Sequence, residues 1–219
     1  MKICFVSRGR VREFREGYDG VNADIFLFGL EGLGEVCYEK ELKGESRLVE
    51  DAALLSKETK SLVVSGCITD TLGHKRKSAL VAENGRIVGI SDMLHAIDGE
   101  ASCGAALRVY ETGVGKMGIA VAEDLYFPEV LKALSLCGSD VIVCPFGQKP
   151  NGIQTTLLRA HAYCYGVPIL FCAEGYCLIA DVSGDIAFAS PLSPIYADYQ
   201  KTKCYHLVET RRRGAYRND

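Results

Sequence analysis

The residues able to do chemistry gather around one stretch, GIAVAEDLYFPE, Gly118 to Glu129. It reads as a buried strand over Ile119 to Ala122, an acidic turn at Glu123 and Asp124, and a helix opening at Pro128. A strand that ends in a tight turn before a helix N-terminus is a place where proteins present a reacting atom beside free backbone N–H groups. The residue at the strand's end is Ala122, which offers no nucleophile. A second candidate, Glu31, closes the buried strand DIFLFG, and its neighbours Leu30 and Gly32 pin it near the core at a pocket. Cys144 and Cys172 end apolar strands and Cys103 lies in a loop, so each is a candidate relocated nucleophile. No histidine or lysine is placed by sequence to lower their pKa values, and each reads first as an inert thiol. His95 and His161 have no carboxylate or cysteine at a telling spacing, and Tyr126 and Phe127 read as residues that seat the helix. Glu31, Asp92, Glu123 and Asp124 form a further set, able as hard oxygen ligands to hold a divalent cation if they converge. A turn carboxylate capping the Pro128 helix accounts for Asp124 without metal, and neither a metal centre nor a cofactor is expected.

The elements that must position these residues follow from pattern. Lys2 to Ser7, Asp24 to Gly29 and Ser61 to Cys67 read as buried strands, and Arg47 to Lys60 as an amphipathic helix behind a Ser46 cap. The charged segment Arg8 to Gly20 is short for a crossover helix. Asn84-Gly85 joins strands Lys77 to Glu83 and Arg86 to Ile90 as a hairpin, since both turn residues tolerate positive φ. Ser91 to Ala105 is irregular. Ala106 to Tyr110 and Lys116 to Ala122 flank a Gly113–Gly115 turn, and a helix over Pro128 to Cys137 stops at Gly138. Asp140 to Pro145 is a strand, and Asn151 caps a helix to Tyr165 that Gly166 closes. Ile169 to Ala173, Cys177 to Val182, Asp185 to Ala189 and Cys204 to Val208 complete the strands. This order of hairpins and crossovers predicts two sheets with helices outside.

Composition bounds the function. At 219 residues, 48% apolar and 24% charged, the chain makes a single domain over 1–219, with 210–219 as a basic tail. A formal charge of −3 gives no reason to expect nucleic acid or an acidic membrane as partner. No apolar run is long enough to span a bilayer, and the N-terminal run is too short for a signal peptide. Ten cysteines without a CxxC pair fit a reducing cytoplasm better than disulfides or zinc.

Four segments together resemble the nitrilase superfamily of carbon–nitrogen hydrolases: DIFLFGLEGL, the hairpin SALVAENGRIVG, the block GIAVAEDLYFPE, and GSDVIVCP followed by a helix carrying Arg159-Ala160. The likeness covers nearly the whole chain. It implies an α/β fold, the α-β-β-α sandwich of two mixed sheets with outer helices, the first helix shortened here. It also implies a small amide-, nitrile- or amine-like ligand and a homodimer, paired through the helices that carry Leu131, Leu134, Leu157 and Ala162, residues that could equally face their own sheet. The family works with a glutamate, a lysine and a cysteine; the thiolate attacks, the glutamate shuttles protons, and the lysine with a backbone N–H stabilises negative charge. Carried over, the glutamate is Glu31, the cysteine position holds Ala122, and the lysine position falls on Asp92, within GISDMLH. Glu123, Glu100 and Cys144 fall on the pocket or oxyanion side. Alanine for cysteine and a carboxylate for a cation imply a member that no longer uses the thioester route. Ala122 alone would fit an introduced substitution; beside Asp92 it reads as natural divergence. The competing expectation is an active amidohydrolase with a relocated cysteine or an acidic, metal-assisted site.

Overall fold

The apolar runs become strands, and the turn and cap signals between them decide where each stops. The computed structural model describes residues 1–97 and 102–201. In chain order its elements are β1 (Lys2–Val6), α1 (Val11–Glu16), β2 (Ile25–Phe28), β3 (Glu35–Cys37), α2 (Tyr38–Leu42), α3 (Leu48–Thr59), β4 (Leu62–Thr71), β5 (His74–Glu83), β6 (Arg86–Asp92), β7 (Val109–Thr112) and β8 (Gly115–Ile119). A 3₁₀ turn (Ala122–Tyr126) follows, then α4 (Pro128–Leu136), β9 (Val141–Pro145), α5 (Gly152–Tyr165), β10 (Ile169–Ala173), β11 (Tyr176–Ala180), β12 (Ile186–Ser190) and β13 (Ile195–Asp198).

These make two mixed sheets. The first runs β13-β1-β2-β4-β5-β6 with β3 also on β4, and the second runs β12-β11-β10-β9-β8-β7. β1, β2 and β4 are parallel neighbours in one sheet and β8, β9 and β10 in the other. The sheets face each other across an apolar layer that includes Phe5, Leu27, Val64, Val81, Val121, Val143 and Cys172. α1 and α3 cover the outside of the first sheet, and α4 and α5 the outside of the second. This is the α-β-β-α sandwich, with α1 reduced to under two turns. Parallel strands place their carboxyl ends at one edge of the sandwich, where open α/β folds bind ligands.

Local chemistry accounts for most boundaries. Asn84 and Gly85 both take positive φ, as their hairpin requires. Asn151 caps α5 by accepting from the Ile153 N–H at 3.0 Å, and Gly166 ends it in the left-handed region. Four expectations change. α3 is not capped by Ser46; the Glu41 carboxylate accepts from the Leu48 and Val49 N–H groups instead, at 3.0 and 3.3 Å. The strand expected to reach Ala122 stops at Ile119, because Ala122 turns into the left-handed region at φ 48°. β3, α2 and β13 carry no strong local signal; β13 forms by antiparallel pairing with β1. Leu131, Leu134 and Ala162 are buried against their own sheet rather than offered to a partner. The expected strand over Cys204 to Val208, the tail and Glu100 lie outside the described residues. Among the described residues no helix is long and apolar enough to cross a membrane.

Candidate functional site

Three chain turns meet where the family-like motif lies. Ala122 opens the 3₁₀ turn after β8, fully buried, with its methyl in the inter-sheet core. A non-glycine residue at φ 48° is strained by about 1–2 kcal/mol, and such strain persists only where the surroundings over-determine it. Here Asp124 N–H donates to the Val121 carbonyl at 3.0 Å, and Ala120 N–H to Val143 at 3.0 Å, fixing the bend from both sides. The elbow is held tightly, and it carries a methyl group.

The loop after β2 is held as tightly. Leu30 N–H reaches Phe146 O at 3.3 Å, Leu33 N–H reaches Gly66 O at 3.1 Å and Gly34 N–H reaches Glu31 O at 3.0 Å. Gly66 lies directly beneath it: a Cβ there would sit 2.3 Å from the Leu30 Cα. On this loop Leu30 is the residue that enters the inter-sheet core with Ala122, while Glu31 is exposed. Of the expected pocket position near the core, the structure places Glu31 at a cavity and outside the core. The backbone points Leu30 inward, so its neighbour Glu31 turns to the rim of a strand-end cavity, which it lines.

Asp92 does not join Ala122. The β5–β6 hairpin starts with Glu83 opposite Arg86, but Val88 is an extra residue, so Val81 faces Gly89 and Ser78 faces Asp92. A bulge of one residue turns the following side chains to the other face. Without it Asp92 would stand opposite Lys77 on the inner face. With it, Asp92 points outward, where its Oδ1 accepts from Ser78 Oγ at 2.7 Å and Ser78 pairs with Thr69 Oγ1 at 2.9 Å. The inner position opposite Lys77 passes to Met93, whose N–H donates to the Lys77 carbonyl at 2.8 Å.

The cation near the elbow is therefore Lys77, which sequence reasoning missed. It shares the inner face of β5 with Ala79 and Val81, and its ammonium donates to Glu123 Oε1 at 2.6 Å. A lysine on the apolar face of a hairpin strand was the available signal. The pair is largely desolvated, with side chains 26% and 12% exposed for Lys77 and Glu123. The other oxygen, Glu123 Oε2, is buried without a hydrogen-bond partner.

Asp124 does not cap α4. It is buried and accepts from the Leu94 N–H, the His95 N–H and His95 Nδ1, tying the segment after β6 to the elbow. Burial raises its pKa, against the lowering effect of those donors. His95 also stacks on Phe127 at 4.1 Å, so it is oriented by both a carboxylate and a ring. Glu31, Asp92, Glu123 and Asp124 thus have separate environments, and among the described residues no group of three or more potential ligands is arranged for a metal.

Two of the three candidate thiols are closed off by burial. Cys144 faces the α4–α5 layer and Cys172 the inter-sheet core, both fully buried with pKa values pushed up by desolvation. Cys103 is exposed. His161 is a packing residue: its Nε2 lies 3.1 Å from Leu125 O, and burial lowers its pKa below the ordinary 6.5. A depressed value means the folded state resists protonation that the unfolded chain accepts. His161 therefore adds stability that is complete above pH 6.5 and is lost as pH falls through the folded-state value, at up to about 1.4 kcal/mol per pH unit. Urea melts of His161→Gln are expected to fall off less steeply between pH 7 and 5 than those of the natural chain; parallel curves would assign the acid sensitivity elsewhere.

At the carboxyl ends of β1, β2, β9 and β10 lies a cavity of about 360 Å³, lined among others by Ser7, Arg8, Leu30, Glu31, Phe146 and Glu174. Leu30 belongs both to this cavity and to the core cluster around Ala122. The ends of parallel strands were the signal that could have named Ser7, Arg8 and Glu174 in advance.

Comparison with known proteins fits this geometry. The carbon-nitrogen hydrolase family model matches residues 26–204. The chain belongs to the carbon-nitrogen hydrolase family. One stretch of 66 residues is 33% identical to a probable nitrilase of Schizosaccharomyces pombe, covering 29% of this chain and 24% of that protein. The chain thus spans about a quarter of that relative in the match. Among solved structures, the fold is similar to a cysteine-to-alanine mutant of the Nesterenkonia AN1 amidase from the nitrilase superfamily, with TM-score 0.71, 15% identity and 90% and 88% of the two chains covered. It is also similar to Saccharomyces cerevisiae Nit3, with TM-score 0.68, 16% identity and coverage of 90% and 89%. A carbon-nitrogen hydrolase from Helicobacter pylori G27 gives TM-score 0.69, 18% identity and coverage of 89% and 86%.

Proposed function

We propose that this family member binds a small molecule at the strand-end cleft and no longer hydrolyses carbon–nitrogen bonds by the thioester route. One observation carries the reading: the strained elbow at Ala122 presents a methyl group to an apolar cluster that also contains Leu30. Attack needs a thiolate there, and proton transfer needs a carboxylate within reach of it. Neither is supplied, since the buried Cys144 and Cys172 are held as thiols by desolvation and Glu31 faces the cavity rim. Lys77 supplies a cation near the elbow, but Glu123 already neutralises it. Loss of the thiol is compatible with ligand binding elsewhere on this fold: a cysteine-to-alanine mutant of the Nesterenkonia amidase holds butyramide.

The test is ammonia release from butyramide and acetamide. The natural chain is expected to release none above background. Ala122→Cys alone is expected to remain silent, because Leu30 still occupies the inward position of its loop. Ala122→Cys combined with Leu30→Glu is expected to raise release by about 10²-fold or more over the natural chain. Asp92 is left unchanged, since it faces the other side of the sheet. Steady ammonia release by the natural chain that survives repurification would end this reading.

A further inference from the structure

The strand-end cavity holds three charged groups that the rest of the fold leaves unused. Arg8, Glu31 and Glu174 line it, and none of them is in an ion pair among the described residues. Between them lies Ser7, 5% exposed, on the alternation that sends Ile3 and Phe5 into the inter-sheet space. Its Oγ is buried without a hydrogen-bond partner. An orphaned buried hydroxyl costs about 1–3 kcal/mol, which a ligand group recovers by bonding to it.

The main chain that carries the cation is held in place. The Arg8 N–H donates to Ser193 Oγ at 2.9 Å, and that hydroxyl donates back to the Arg8 carbonyl at 3.1 Å. Its guanidinium lies over Gly175, where a Cβ would come within 2.6 Å of it. Gly175 takes φ 63° and donates its N–H to Ser7 O at 3.1 Å, so a bare backbone makes the bed for this side chain. The carboxylates come from both sheets, Glu31 after β2 and Glu174 after β10, and the remaining wall includes apolar Leu30 and Phe146.

From this arrangement we infer that the cavity binds a free α-amino acid with a small apolar side chain. The ligand's carboxylate meets the planar fork of Arg8, its ammonium meets Glu31 and Glu174, and its side chain rests on Leu30 and Phe146. Ser7 Oγ serves either polar end. A simple amide would leave all three charges unmatched, and a simple carboxylate would leave both acids unmatched. The inference rests on the proposal that the chain keeps a ligand pocket, and narrows its occupant.

Calorimetric titration tests it with four probes: L-norvaline, norvalinamide, which lacks the carboxylate, pentanoate, which lacks the ammonium, and butyramide. L-norvaline is expected to bind saturably, and each single-charge analogue at least about tenfold more weakly. Arg8→Gln is expected to weaken L-norvaline about tenfold while leaving norvalinamide unchanged. Glu174→Gln is expected to weaken L-norvaline without weakening pentanoate. Both side chains are exposed, and matched thermal melts check that the variants fold. Equal binding of L-norvaline and either analogue overturns the inference. Binding of butyramide alone overturns it while keeping the pocket; binding of none of the four overturns both.

Discussion

Gly66→Ala is expected to destabilise the protein by about 3 kcal/mol. The added Cβ would lie 2.3 Å from Leu30 Cα, 2.7 Å from Leu30 O and 2.8 Å from Gly29 O. All three are backbone atoms, so no side chain can swing away; the loop must lift. Lifting it stretches the Gly66 N–H bond to Gly29 O and the Leu33 N–H bond to Gly66 O, each 3.1 Å long, and leaves buried groups unpaired. Urea denaturation should show a lower midpoint with an unchanged slope. Gly73→Ala is the control, since Gly73 takes φ 86° but has open space around it, and should lose only about 1 kcal/mol. A Gly66→Ala midpoint no lower than the control's would mean that the loop is not seated as described.

Lys77→Met should cost about 2–4 kcal/mol at pH 7, because it strips the partner from a carboxylate that is only 12% exposed. The reverse change, Glu123→Gln, leaves a lysine that is 26% exposed and able to reach water, and should cost about 1 kcal/mol. This asymmetry separates a desolvated pair from a surface one. Lys77→Met with Glu123→Leu, which removes both charges, should recover most of the loss. A double variant no more stable than Lys77→Met alone would show that Glu123 is not what Lys77 supports.

Local rules carried the sequence reading a long way. Asn84-Gly85, Pro128, Asn151 and Gly166 announce their turn or cap by their own conformational preferences, and each does in the structure what it promises. Two sheets with outer helices followed from strand order, and the α-β-β-α sandwich from the family resemblance. What escaped depends on partners far away in sequence. β13 is a strand because β1 lies beside it. Asp92 faces outward because Val88 inserts a bulge that no local propensity announces. Glu41 caps α3 across a turn where Ser46 stood closer. The same limit governs the site: Ala122 and its elbow were legible as a motif, whereas Lys77, Leu30 and the strand-end charges emerge only once two sheets are placed face to face. Facing is set by register and bulges, and a shift of one residue exchanges inside for outside.

Stacked sheets ordinarily touch through side chains alone, yet here main-chain hydrogen bonds cross from one to the other beside the cavity. Leu30 N–H reaches Phe146 O, and Gly175 N–H reaches Ser7 O. Sliding the sheets past one another would break both bonds together, so the motion left to them at low energy is a small rotation about this stitched edge. The sandwich is built like a pair of tongs joined at the binding end. The two bonds tie the mouth that holds the charges directly to both sheets.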